Sequence, residues 1–193
     1  MAPLLWYIGQ LTHADDNVRD GVTDDSAAIQ LAITTGNRCG PGKCQSSTIT
    51  PAVIYFPAGT YLISTSIVDY YESQLIGNPN SLPVLKATPG FTGFGLIDGS
   101  QYQAGGVLGF GATNTFYRQV RNFILDMTSI PSTSAATGIH WPTAQATSLQ
   151  NIFFKMSDAP GTQHQGLFIE SGMYFSVEQL RHTSLVLEVV DMV

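Results

Sequence analysis

An all-β solenoid, a parallel β-helix closed by one short N-terminal helix, is the fold that this 193-residue sequence predicts. Three observations predict it. Short apolar runs such as Val53-Ile54-Tyr55-Phe56, Tyr61-Leu62-Ile63, Gln74-Leu75-Ile76-Gly77 and Gly95-Leu96-Ile97-Asp98 alternate with polar turns, the signature of short strands. The composition is 11% charged and 44% hydrophobic with 19 glycines, which excludes a disordered chain and suits a β-protein with many turns. Finally, Val120–Met127 aligns with Leu149–Met156, its asparagines 29 residues apart, and Gly138-Ile139 aligns with Gly166-Leu167 at an offset of 28. Two strand pairs with nearly the same offset are the mark of stacked coils.

Taken in order, the elements begin with residues 1–16, a segment of unclear status. Met1–Ile8 is apolar but lacks a preceding basic residue and a small-residue cleavage site, and it is too short to cross a membrane. Thr23-Asp24-Asp25 offers N-cap side chains for a helix in which Ile29, Ala32 and Ile33 recur at helical spacing until Gly36. Asp24 and Asp25 are therefore read as caps, which carboxylates favour at a helix N-terminus. Cys39 and Cys44 flank a Gly-Pro-Gly-Lys loop. No further ligands accompany them as a zinc site requires, so they are expected to pair as a disulfide of an oxidising compartment. Residues 17–172 then form the β-helix domain. In each coil alternate side chains point inward, so Val120, Phe123 and Leu125 stack on their counterparts one coil later. Asn122 and Asn151 at matching positions are placed to form an amide ladder at a bend. Residues 173–193 diverge, and Val177–Val190 reads as a helix or an improvised end.

With a net charge of −6, eight Lys and Arg and no basic run, the chain lacks the stripe that meets phosphates, so nucleic acid is excluded as a partner. No membrane partner and no cofactor are expected. His13, His140, His164 and His182 are scattered without ligand spacing, so no metal site is predicted. No Gly-x-Ser-x-Gly elbow supports a serine hydrolase. Neutral, polar ligands fit this composition best.

Among the carboxylates, Asp98 and Asp158 read as turn caps, Asp126 is matched by Lys155 one coil on and reads as a solvated face, and Glu170 simply follows an apolar strand. None forms an evident acid/base couple. The polar turn Gln163-His164-Gln165 is a candidate contact for sugar hydroxyls or a water, because amides both donate and accept. His140-Trp141 is the second candidate, an indole face for a sugar ring, with core packing beside Pro142 as the alternative.

Several stretches carry a resemblance. Asn17-Val18-Arg19-Asp20-Gly21-Val22-Thr23-Asp24-Asp25-Ser26-Ala27-Ala28-Ile29-Gln30, followed by Val53-Ile54-Tyr55-Phe56-Pro57-Ala58-Gly59-Thr60-Tyr61, resembles the opening of the pectate-lyase-3 type β-helix. Arg38-Cys39-Gly40-Pro41-Gly42-Lys43-Cys44, Gln74–Pro79, Thr137–Asn151 and Ser157–Gly166 are similar to fungal family-55 glycoside hydrolases, the exo- and endo-β-1,3-glucanases. The resemblance implies a right-handed, single-stranded, pectin-lyase-like solenoid, an extracellular monomer and β-1,3-glucan as substrate. It also implies two tandem β-helical domains with a cleft between them, inverting hydrolysis, and a general-acid Glu on the C-terminal domain. On that reading this chain is the N-terminal half, with Gln163, His164 and Gln165 beside the attacking water and no catalytic residue of its own. Two departures stand out: Asp20 is followed directly by Gly21 where the family has a longer segment, and the residues after Gly172 do not continue its Gly-rich coil. The rivals are a pectin- or polygalacturonate-acting β-helix, which the scarcity of Lys and Arg disfavours, and a non-catalytic glycan-binding remnant.

Overall fold

The structure, a computed structural model, describes residues 7–10, 19–44, 51–111, 115–172, 175–182 and 188–189. Its elements are β1 (Tyr7–Gln10), β2 (Asp20–Asp24), α1 (Ser26–Thr34), β3 (Ala52–Phe56), β4 (Thr60–Val68), β5 (Ser73–Gly77), β6 (Val84–Asp98) and β7 (Gln119–Asp126). They continue with β8 (Ala136–His140), β9 (Thr143–Ala144), β10 (Thr147–Lys155), β11 (His164–Ile169), β12 (Ser171–Gly172), β13 (Phe175–His182) and β14 (Glu188–Val189). Expectations placed on His13, Asn17, Val18 and most of residues 1–16 lie outside the described residues.

Every pairing between these strands is parallel, and each strand bonds to its equivalent in a neighbouring coil. Three inward columns make the core. Ile54, Leu75, Val120 and Leu149 stand in register along β3, β5, β7 and β10. Tyr61, Leu85, Leu125 and Phe154 form the second column, and Ile67, Ile97, Ile139 and Leu167 the third. All twelve are buried. Each aliphatic side chain so buried contributes about 1.5–3 kcal/mol, and a coil gains it only against its neighbours. The fold is thus the all-β parallel β-helix that the repeat predicts.

The coils turn at left-handed residues held at constant register. Glu72, Tyr117 and Ala146 have φ of 50°, 56° and 49°, each two residues before the paired Gln74, Gln119 and Ser148. Asn122 (φ 64°) and Asn151 (φ 51°) bend β7 and β10 at a second corner. Asparagine tolerates this conformation, and here its side chain also bonds along the axis. Asn151 Nδ2 donates to Asn122 Oδ1 at 2.9 Å, and Asn122 Nδ2 donates to the Gly77 carbonyl at 3.1 Å. This is the ladder expected from the repeat. We predict that Asn151→Ala, which loses the amide bond and leaves a β-carbon in a left-handed site, costs about 2 kcal/mol, and Asn151→Gly, free of that strain, costs less. Urea unfolding of both variants measures the split; equal losses would assign the whole effect to the amide.

The helix begins at Ser26, directly after its Thr23-Asp24-Asp25 cap signal. Asp25 holds the N-cap position without a side-chain cap bond, while Asp24 Oδ1 accepts from the Ser26 amide at 3.0 Å. Asp24 therefore does the capping chemistry, and Asp20 closes the preceding turn by accepting from Val22 and Thr23. Ile29 and Ile33 are fully buried in the same core as Ile54 and Ile63. Beyond the helix, Cys39 and Cys44 form the expected disulfide, with Cα atoms 5.8 Å apart. Its loop is fitted closely: a β-carbon on Gly40 would lie 2.7 Å from the Tyr70 ring. At the far end, 175–182 is not helical. It is strand β13, in register with β10, Val177 beside Leu149 and Leu180 beside Ile152. Its apolar positions, Phe175, Val177 and Leu180, keep no strict period of two, so alternation does not mark the strand in the sequence.

Candidate functional site

The outer face of the third column carries a cluster of ionisable and aromatic groups that is both packed and accessible. Parallel register places Val68, Asp98, His140 and Phe168 side by side on β4, β6, β8 and β11. Glu170 follows two residues after Phe168, on the same side of the chain. A hairpin after β6, with Tyr102 bridged to Leu108, lays Tyr102 over the group.

His140 is 0% exposed although it points outward, because Phe94, Tyr102 and Phe168 enclose it. Ring centroids lie 4.3 Å (Phe94), 5.3 Å (Tyr102) and 5.7 Å (Phe168) from the imidazole. Its Nδ1 stands 2.9 Å from Asp98 Oδ1 and its Nε2 3.1 Å from Glu170 Oε1. Both ring nitrogens thus face carboxylate oxygens. Both contacts become hydrogen bonds at once only when the ring carries two protons or one carboxyl group carries its own. Tyr102 donates its phenolic hydrogen to the same Glu170 oxygen. Burial, and then the bond to Glu170 and its charge, push the Tyr102 phenol above its ordinary value, so it stays a donor. Asp98 Oδ1 also accepts from the Ser100 amide at 3.1 Å, the turn-capping role its sequence context suggested. Access to solvent is through the Glu170 side chain, 16% exposed, and through Phe94 and Tyr102, each 40% exposed.

A buried ionic layer lies beneath. Arg118 donates to the Gly99 carbonyl, next to Asp98, and its guanidinium lies 4.3 Å from the Trp141 ring centroid and 3.9 Å from Asp69 Oδ2. Burial pushes the Asp69 carboxyl up to about 6, with Arg118 and Arg38 opposing the rise. Gly99 itself donates its amide to the His140 carbonyl at 2.7 Å, so Arg118 holds the strand end that presents Asp98.

The predicted site residues divide. His140 is at the centre of the cluster, but held by two carboxylates and closed to solvent. Trp141 points the other way: it is fully buried, its Nε1 donates to Thr147 Oγ1 at 3.2 Å, and one face is taken by Arg118. It is core packing, with no face for a sugar. His164 is likewise interior. Its Nδ1 accepts from the Ser157 amide at 3.1 Å and its Nε2 faces the Pro131 carbonyl at 3.3 Å, so both nitrogens are spent in joining two loops. Gln163 is exposed and Gln165 half-buried beside Thr137, on the strand that leads to Phe168 and Glu170. Asp126 pairs with Lys155 at 3.8 Å, and Asp158 is exposed.

Phe94, Tyr102 and Phe168 were not singled out in the sequence. The offset of 28 that joins Gly138 to Gly166 also joins His140 to Phe168, a readable signal. The placement of Asp98 beside His140 was hidden by the hairpin insertion between their coils.

Residues 16–183 match the rhamnogalacturonase A/epimerase, pectate lyase-like family. Over 154 residues the chain is 51% identical to a glucan 1,3-beta-glucosidase of Cochliobolus carbonum, covering 79% of this chain and 20% of that protein. It is 44% identical to a probable glucan endo-1,3-beta-glucosidase of Arthroderma benhamiae, over 79% of this chain and 17% of that one. A non-secreted LysM effector, LysM15 of Penicillium expansum, is 46% identical over 79% of this chain and 11% of its own length. The chain therefore spans a fifth or less of the length of these relatives. Among solved structures, ORF18 of Geobacillus virus E2 superimposes with a TM-score of 0.53 at 16% identity, over 83% of this chain and 30% of that one, a likeness of fold. The stacked parallel coils and the match across most of the sequence place this chain in the rhamnogalacturonase A/epimerase, pectate lyase-like family.

Proposed function

We propose that this chain is a glucan-contacting β-helix related to β-1,3-glucanases, and that Phe94, Tyr102 and Glu170 form its sugar-contacting surface. The observation that carries the reading is the exposed Phe94–Tyr102 pair, ring centroids 5.6 Å apart, beside a part-exposed carboxylate. Aromatic faces cover the apolar side of a sugar while the phenol and carboxylate meet its hydroxyls. Gln165 on β11 and Gln163 just before it extend the polar surface.

In this reading the chain supplies contact rather than an acid/base pair. Inverting hydrolysis needs two carboxyl groups roughly 6.5–9.5 Å apart with a water between them. Asp98 and Glu170 do flank a gap, but the His140 ring fills it. The names of the relatives favour β-1,3-glucan as the ligand. The family description leaves a pectic polymer as the second reading, which the two carboxylates of the site disfavour by repulsion of an acidic chain. The Cys39–Cys44 disulfide supports an oxidising, extracellular setting.

Calorimetric titration with laminarin and with polygalacturonate tests the proposal. Laminarin is expected to bind, and Tyr102→Ala to weaken it about tenfold, or ~1.4 kcal/mol. Preferential binding of polygalacturonate, or laminarin binding indifferent to Tyr102→Ala, would overturn it. Hydrolysis of laminarin by this chain alone would refute the claim that it lacks an acid/base pair.

A further inference from the structure

A second concavity lies next to the aromatic cluster and is used by nothing described above. It is a groove of about 560 Å³ whose lining includes Lys43, Thr65, Val68, Tyr70, Gln101 and Gln103. Two features tie it to the neighbouring site. Val68, on its floor, occupies the same register column as Asp98, His140 and Phe168, so groove and cluster are successive along the helix axis, about 4.8 Å per coil. The hairpin after β6 serves both: Tyr102 turns onto Glu170, while Gln101 and Gln103 on either side of it line the groove.

The far wall is the disulfide loop, and its position is fixed. Gly42 donates to the Gly109 carbonyl at 2.9 Å. A β-carbon on Gly109 would come within 2.6 Å of Pro41, and one on Gly42 within 3.2 Å of the Gln103 amide. The groove is thus a preformed trough in which carboxamides, hydroxyls, one tyrosine and one lysine stand among apolar Pro41 and Val68. Lys43 makes no ion pair among the described residues. Such a lining offers both donors and acceptors beside apolar surface, with too little charge to select an acidic polymer.

We propose that this groove is a further saccharide-binding subsite, taking sugar units of a neutral glucan whose adjoining units lie over Phe94 and Tyr102. The inference rests on the proposed function and adds that chain length is read by the disulfide loop.

The test is calorimetric titration of a series of β-1,3-linked glucose oligomers, dimer to hexamer, against the wild-type chain, Tyr102→Ala and the double variant Lys43→Ala/Gln103→Ala. Both substituted side chains of the double variant are exposed, and the one side-chain bond given up is that from Gln103 Nε2 to the Gln101 carbonyl, so circular dichroism of the variant should match the wild type. Wild-type affinity should rise with length. The double variant should keep the dimer affinity and lose about tenfold for the hexamer, while Tyr102→Ala weakens every length. Binding of no oligomer by the wild type would sink both readings. A length dependence retained in full by the double variant overturns the groove alone. Tighter binding of galacturonate oligomers at Lys43 would overturn the neutral ligand class.

Discussion

Arg118→Ala is expected to destabilise the fold by about 3–5 kcal/mol, the range for removing one partner of a buried ion pair. Arg118 is fully buried, and burial pulls its guanidinium down from the ordinary value while Asp69 opposes that fall. Its removal takes the ion-pair partner from the Asp69 carboxylate, which keeps the Tyr70 amide and the field of Arg38, frees the Gly99 carbonyl and leaves the Trp141 face without the guanidinium, a contact worth ~2 kcal/mol when desolvated. The pH dependence distinguishes charge from cavity. Asp69 has a folded-state value of about 6 against 3.8 for the free side chain, so the folded chain binds the extra proton between those values. Stability therefore falls as pH rises from about 3.8 to about 6 and levels off above. Asp25, also pushed up to about 6 chiefly by burial, acts in the same direction. Without Arg118 the Asp69 value climbs further, so the window extends upward and the loss measured at pH 8 exceeds that at pH 5. Urea unfolding of wild type and variant at both values checks this. A loss independent of pH would reduce Arg118 to a space-filling role. Because Arg118 holds the strand end beside Asp98, the variant should also weaken laminarin binding under conditions where it remains folded.

Gly77→Ala is the second large effect, about 3 kcal/mol or more, at the upper end for overpacking. A β-carbon there would run into the Asn122 carbonyl oxygen of the next coil and approach the Pro83 ring at 2.8 Å. A backbone carbonyl in a paired strand cannot rotate aside, so the coil spacing itself must give. Gly90→Ala is the control, because its β-carbon would meet nothing within 4 Å. Thermal melts should separate the two by a wide margin; similar midpoints would mean that the coils slide more freely than their register suggests.

Much of the fold was legible because a solenoid repeats its physics. The offset of Asn122 and Asn151 identified two coils, and Ile139 over Leu167 confirmed the phase. The disulfide was legible because its loop is local. The first part of β6, Val84–Phe94, was harder to read: Pro89, Gly90 and Gly93 break the alternation, and the strand is held by its neighbours rather than by propensity. The candidate site was half legible. Glu170 and His140 stand out singly in the sequence, but the cluster also takes Tyr102 and Asp98, brought in by a hairpin whose length no repeat constrains. Trp141 and His164 look functional by residue type and are interior, the indole satisfied by the Thr147 hydroxyl and the imidazole by backbone groups.

The asparagine ladder carries one more implication. Parallel sheets with similar apolar columns pair almost as well when displaced, and a slip of one residue would exchange inner and outer faces. Hydrophobic matching alone penalises a slip of two much less, since period two restores the phase. The ladder removes that degeneracy. Only the observed alignment brings Gly77, Asn122 and Asn151 to the same bend with their amides in reach. It serves as an index mark that fixes where each coil seats on the one before it.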